Sequence, residues 1–294
     1  FINSSKTSRS YGTGNSCAMS YFRSTTPGWV RVFMTVYIGM SMLVAWFVAC
    51  VLQILFLMIT VAWMESHKRI YLQGLLFRRC NAIFVVHLNP FWSVKRIGKP
   101  VPPFSKSIVM SNHLSNADPF LVSSQLLPNE TKYLAKNSLF QIPLGGWAMS
   151  LAGDIPIFFT SAKGGWGTKK GTIRKMMEHI KEIFSFGQSI MVFPEGVRSK
   201  SGLMSDFKDG MFSLAIETGV EVRPVALSGS GKCWPIGDWR MDSSTIYFAA
   251  GEPINPKGLT VEELKARVRK EILRLKATFP NRIEPDQPVP EKSS

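Results

Sequence analysis

The sequence predicts an α/β domain, built on a mostly parallel sheet covered by helices on both faces and preceded by an N-terminal membrane helix segment. Three observations predict it. From Pro90 onward, short apolar runs alternate with helically spaced stretches, the pattern of a parallel sheet with crossover helices. Two of those runs, residues 108–110 and 190–192, lead directly into polar loops, as they do where a site lies at the carboxyl ends of such a sheet. Residues 32–64 contain no charged side chain.

Composition narrows the class. The chain has 294 residues, 45% hydrophobic and 19% charged, enough for one large domain or two small ones with a substantial core. Its net charge of +15 points to an anionic partner. No nucleic-acid-binding motif occurs, so membrane lipids and phosphorylated ligands are expected, and no nucleic acid. The four cysteines (Cys17, Cys50, Cys80 and Cys233) have neither zinc nor disulfide spacing, so a reducing compartment is expected.

Residues 1–28 are rich in Ser, Thr and Gly, with basic but no acidic side chains. They fit a disordered leader or a transit peptide. Residues 29–89 are expected to be membrane-embedded and interfacial helices. A straight helix over residues 32–64 reaches ~50 Å, more than the ~30 Å hydrocarbon core, so a tilted span or a span with a re-entrant turn both fit. A kink near Gly39 and interfacial places for Trp46 and Trp63 are expected. Lys68, Arg69, Arg78 and Arg79 follow the segment, against Arg23 and Arg31 before it, which puts the main domain on the cytosolic side. Residues 70–77, mixing leucines with that cluster, read as a surface-lying stretch.

The main domain is expected over residues 90–280. Strands are predicted at 108–110, 132–135, 155–159, 190–193, 222–227 and 245–249. Residues 168–186 have helical apolar spacing at Ile173, Met176, Ile180 and Ile183, opposite a basic face that is either solvated or turned toward anionic ligands. Residues 210–219 form a second helix. A third starts at Thr260, whose pairing with Glu263 forms a capping box, and stops at Pro280. The proline-bearing tail, 281–294, is expected to be disordered.

The chemistry-bearing residues lie in the two loops. His113 directly follows a strand, with Asn112 before it and Asp118 five residues on. A helix starting after His113 would carry the aspartate one to two turns along. Its carboxylate could return to one imidazole nitrogen, fixing the tautomer and leaving the other free to take a proton from a hydroxyl. No GxSxG elbow is present, so the attacking hydroxyl would be the substrate's own. In the second loop, Gly196 lets backbone approach a ligand and Arg198 offers a fork suited to phosphate. Glu195 would position the acceptor or brace Arg198. Ser228 to Cys233 lacks the first glycine of a P-loop, and the sequon at Asn129 would go unused in a cytosolic domain.

Asn112-His113-xxxx-Asp118 followed by Phe193-Pro194-Glu195-Gly196-Val197-Arg198-Ser199 resembles the NHxxxxD and FPEGxRS motifs of the glycerolipid acyltransferase family. Three blocks add to the likeness: residues 135–145, Phe207-Lys208-Asp209-Gly210, and Val222-Arg223-Pro224-Val225-Ala226. The resemblance covers about residues 90–280 and implies that family's fold. It also implies transfer of an acyl chain from acyl-CoA, a co-substrate rather than a cofactor, to lysophosphatidic acid or a related phosphorylated acceptor. Acceptors such as glycerol-3-phosphate, or a non-catalytic lipid-binding role, remain open. His113 and Asp118 would be the catalytic pair; Asn112, Lys163, Glu195, Gly196, Arg198 and Lys208 would bind substrate. Backbone donors near Gly196 or His113 would stabilise the oxyanion, and no metal or cofactor is implied. The block at residues 153–159 departs from the family's pattern: Phe159 stands where a phosphate-contacting arginine is typical, and Lys163 or Lys169 would supply the charge instead. Arg223, in place of a valine, would add a cationic contact. The implied location is the endoplasmic reticulum membrane, catalytic domain facing the cytosol, or alternatively the plastid envelope.

Overall fold

The structure, a computed structural model, describes residues 24–162, 165–168 and 171–280. Lys163, Lys169, most of the leader and the whole proline-bearing tail therefore lie outside the described residues. Seven strands form the main sheet: β1 (Trp92–Arg96), β2 (Ser107–Ser111), β3 (Thr131–Lys136), β4 (Ile155–Ile157), β7 (Ser189–Val192), β8 (Glu221–Ser228) and β9 (Ser244–Ala250). Their order is β1-β9-β8-β2-β7-β3-β4. All neighbouring pairs are parallel except β8 with β9. The predicted strand over 155–159 stops at Ile157. Phe159 instead opens a separate hairpin of β5 (Phe159–Ala162) and β6 (Gly165–Thr168).

Alternation along the central strands sends side chains to two cores. Ile108, Met110, Ile190 and Val192 face α5 (Thr172–Ser185), α6 (Gly210–Thr218) and α8 (Val261–Ala277). Val109 and Met191 face the opposite core, built with α1 (Gly28–Thr60), the π-helical turn Ala82–His87 and α3 (Asp118–Leu126). Helices thus cover both faces. The capping box of α8 is present, with Glu263 N–H donating to Thr260 Oγ1 at 3.3 Å.

α1 is 33 residues long and apolar enough to cross a membrane, and it runs unbroken past Gly39. One stripe of it, including Ile38, Met42 and Ala45, is buried against the sheet domain, so packing crosses the boundary expected at residue 89. The opposite face, with Phe33, Met40, Leu43, Phe47 and Leu55, is exposed. Trp46 packs its ring against Gly145 at the start of α4 (Gly145–Leu151), where an added Cβ would come within 2.8 Å. Trp63 is exposed.

Two arginines counted as topology signals are structural. Arg31 is buried, pairing with Asp238 at 2.9 Å and donating to Arg240 O at 2.7 Å, which latches the start of α1 to the loop before β9. Arg78, on α2 (Ser66–Asn81), is buried in an ion pair with Asp154 and lies 4.0 Å from Glu130, while Lys132 meets Glu130 at 3.2 Å. Gly74 lets α2 pass directly over this cluster, since an added Cβ would stand 2.2 Å from Glu130 Oε1. The stretch expected on the membrane surface is therefore part of a helix whose underside, including Gln73 and Phe77, is packed. Lys68, Arg69 and Arg79 keep the positive excess on the C-terminal side of α1.

Candidate active site

β2 and β7 are adjacent and parallel, with Met110 paired to Val192. The loops that follow them leave the same sheet edge side by side, which is why two motifs 82 residues apart meet. Two hydrogen bonds lock them together, and three more hold them in place. His113 N–H donates to Glu195 Oε1 at 2.9 Å. Ser199 N–H donates to His113 O at 2.8 Å. Asn112 clasps β8 on the other side: its Nδ2 donates to Leu227 O at 3.0 Å and its Oδ1 accepts Leu227 N–H at 2.9 Å. Lys208 N–H closes the second loop onto Pro194 O at 2.8 Å.

His113 and Asp118 come together as expected, by a different route. α3 begins at Asp118, so the aspartate is the first helical residue rather than one to two turns along. Residues 113–117 form a turn that its carboxylate closes. One oxygen, Oδ2, does all the work: it meets His113 Nδ1 at 2.7 Å and accepts Leu114 N–H at 2.6 Å and Ser115 N–H at 2.8 Å. The carboxylate is fully buried, and Oδ1 has no hydrogen-bond partner among the described residues. Two backbone donors make that oxygen an acceptor, so Nδ1 carries the proton and Nε2 presents its lone pair. The imidazole is partly exposed and stacks on Phe193, with ring centroids 4.0 Å apart and planes 15° from parallel. Sequence reasoning did not find this use of Phe193, although the residue sits inside the second motif.

Two residues expected to bind substrate are buried braces instead. Glu195 is 1% exposed, and its second oxygen accepts Ser205 N–H at 2.8 Å. Burial lifts its carboxyl above the ordinary value, while the two backbone donors pull the other way. Both oxygens are occupied, so Glu195 reaches neither an acceptor nor Arg198. Asn112 is fully buried with both amide atoms engaged, so it too cannot meet a ligand. The N–H groups of His113 and Gly196, expected as oxyanion donors, already donate to Glu195 and to Phe193 O.

What remains open is cationic. Gly196 takes φ +70°, and Lys208 Cγ passes 3.6 Å from where its Cβ would be. Lys208 is exposed, Arg198 is half-buried, and neither side chain has a protein partner among the described residues. The site therefore combines a proton acceptor, held in one tautomer, with two unpaired cations on the adjoining loop. Arg223 does not join them: it donates to Ser107 Oγ at 3.0 Å, at the other end of β2, and covers the Phe104 ring. Gly229, which precedes the short α7 (Ser230–Cys233) in the P-loop-like stretch, lies on the β9 backbone, and the side chain of Asn129 is bonded to Phe104 N–H and Pro102 O.

Residues 94–228 match the family model described as Acyltransferase. The chloroplastic 1-acyl-sn-glycerol-3-phosphate acyltransferase of Arabidopsis thaliana is 34% identical over 154 residues, 52% of this chain and 40% of its own length. A 1-acyl-sn-glycerol-3-phosphate acyltransferase of Chlamydomonas reinhardtii is 34% identical over 55% of this chain and 48% of its own length. The human alpha form is 28% identical over 65% of this chain and 67% of its own length. The match thus spans about half the length of the plant and algal relatives. The crystal structure of the 1-acyl-sn-glycerophosphate acyltransferase PlsC from Thermotoga maritima superposes with a TM-score of 0.66, covering 86% of this chain and 99% of that one at 24% identity. The fold is therefore that of PlsC. Across residues 94–228, somewhat under half of its length, the chain is similar to the Acyltransferase family, and the relatives it resembles are 1-acyl-sn-glycerol-3-phosphate acyltransferases.

Proposed function

We propose that the protein transfers an acyl chain from acyl-CoA to the sn-2 hydroxyl of lysophosphatidic acid, making phosphatidic acid. The observation that carries this reading is the free Nε2 of His113, with Nδ1 fixed on Asp118, beside the unpaired Arg198 and Lys208. The relatives' names supply the acceptor.

The proposed steps use the groups that the fold leaves open. Arg198 and Lys208 hold the acceptor phosphate, Arg198 with a fork that matches two phosphate oxygens. Nε2 takes the proton of the acceptor hydroxyl as its oxygen attacks the thioester carbonyl. Asp118 stabilises the imidazolium that forms. Arg198 N–H and Val197 N–H donate to no protein group among the described residues and are open candidates for the oxyanion. As the tetrahedral intermediate collapses, the carbon–sulfur bond breaks and the imidazolium returns its proton to the CoA thiolate. Base assistance of this kind is worth ~10²–10⁴ in rate. The exposed face of α1 meets lipid and keeps the site where acceptor and acyl chain concentrate. Chloroplastic relatives favour the plastid envelope over the endoplasmic reticulum.

Incubating the detergent-solubilised full chain with acyl-labelled acyl-CoA and lysophosphatidic acid tests the reaction. Label in phosphatidic acid supports transfer. Label appearing only as free fatty acid means that water is the acceptor and refutes it.

A further inference from the structure

We propose that Arg269, on α8 and outside both motifs, is a positioning residue for the site. It acts through the Met204–Ser205 peptide and Glu195. Its guanidinium forks onto two consecutive carbonyls, Nη2 donating to Met204 O and Nη1 to Ser205 O, each at 2.8 Å. The first carbonyl shares a peptide group with Ser205 N–H, which donates to Glu195 Oε2 at 2.8 Å. Glu195 Oε1 in turn accepts His113 N–H at 2.9 Å. A cation, one peptide dipole and a buried carboxylate are thus aligned head to tail, and each link polarises the next. The line ends on the backbone of the base.

The rest of α8 acts on the same loop. Lys265 pairs with Asp209 at 2.7 Å, directly after Lys208, and Lys276 Nζ lies 3.5 Å from Gly202 O. The aliphatic and aromatic underside of the loop is covered as well, with the Arg269 guanidinium over the Phe207 ring at 5.5 Å. Residues 202–209 are therefore gripped at three points from one helix. The bond from Lys208 N–H to Pro194 O holds one end of that loop on the site, and the contacts from α8 hold the rest of it. Residues 269 and 276 lie beyond the region that matches the family model, so this grip belongs to the chain's own C-terminal helix.

The kinetic part of this proposal rests on the acyl-transfer reading; the structural part does not. The test uses full-length wild type, Arg269→Gln and Arg269→Lys, with two readouts. Hydrogen exchange without substrate follows peptides covering 111–118 and 203–208. Steady-state kinetics uses acyl-CoA and lysophosphatidic acid. Arg269→Gln is expected to speed exchange in both peptides. It should raise the acceptor KM about tenfold, the scale of one lost charge-assisted hydrogen bond, and leave the acyl-CoA KM unchanged. Arg269→Lys, which keeps the charge and one donor to the loop, should recover part of both effects. Exchange confined to the 203–208 peptide would overturn the link to His113. Unchanged kinetic constants with a lowered melting temperature would make Arg269 merely structural. Should wild type show no turnover, the acyl-transfer reading fails, while faster exchange at His113 still upholds the grip and unchanged exchange still overturns it.

Discussion

Asp118→Asn separates the two jobs of the aspartate, orienting the imidazole and stabilising its charge. In a Ser-His-Asp triad the same change gives the wrong tautomer and costs ~10⁴ in kcat. Here the outcome should differ. Leu114 N–H and Ser115 N–H both point at Oδ2, so the amide oxygen must take that position and the amide nitrogen goes to the site of Oδ1. His113 Nδ1–H still finds an acceptor, and Nε2 stays a base. What is lost is the charge. Two unit charges ~4 Å apart interact by ~4 kcal/mol at an effective dielectric of ~20, which bounds the loss of imidazolium stabilisation at about 10³-fold in kcat. The new amide nitrogen also lands where the carboxylate oxygen has no partner, an unsatisfied buried donor worth ~1–3 kcal/mol of stability. Thiol release with saturating acyl-CoA and lysophosphatidic acid should therefore show kcat reduced by roughly 10²–10³, with a lowered melting temperature. Unchanged kcat would remove Asp118 from charge stabilisation. A loss of ~10⁴ or more in a folded variant would mean that the tautomer had flipped and that the backbone donors do not fix the oxygen.

Other outcomes follow from the same contacts. Arg198→Ala should raise the KM for lysophosphatidic acid by roughly one to two orders of magnitude, the loss of a charge-assisted phosphate contact, with little effect on the acyl-CoA KM; equal effects on both substrates would place Arg198 elsewhere. Glu195→Gln should lower kcat about tenfold, because one of its two backbone partners then faces an amide donor; wild-type kinetics would mean that the brace is dispensable. Asp154→Ala removes the direct ion-pair partner of the buried Arg78, leaving it Glu130 at 4.0 Å and the Thr131 carbonyl, a break worth ~3–5 kcal/mol, and thermal unfolding should shift down by at least ~6 °C. An unshifted curve would mean that the pair contributes nothing net.

The pairing of His113 with Asp118 was legible because five residues of sequence bring them within reach of each other. Strands β2 and β7 were legible as well, since each is buried on both faces and shows as a short uninterrupted apolar run. β1 escaped because Ser93, Lys95 and Arg96 break its pattern: it is an edge strand, buried at Trp92 and otherwise largely open. The roles of Asn112 and Glu195 were misread for lack of distance information. Each is a polar residue in a functional loop, and nothing local says that its partner is a backbone group 115 or 82 residues away. Arg78 was counted as a surface cation because its counter-charge, Asp154, lies 76 residues on. The two motifs indicated that a site exists; the depth of each polar residue decides which of them face the ligand.

Every step of the proposed transfer depends on His113 acting as the base toward a phosphorylated acceptor. The most direct measurement is CoA release by the solubilised full chain with acyl-CoA and, separately, lysophosphatidic acid or glycerol-3-phosphate, for wild type and His113→Ala. Turnover with lysophosphatidic acid is expected, with a fall of ~10²–10⁴ in the variant while its unfolding curve stays cooperative. Turnover that survives in His113→Ala, or wild-type protein that is folded and silent with both acceptors, would contradict it.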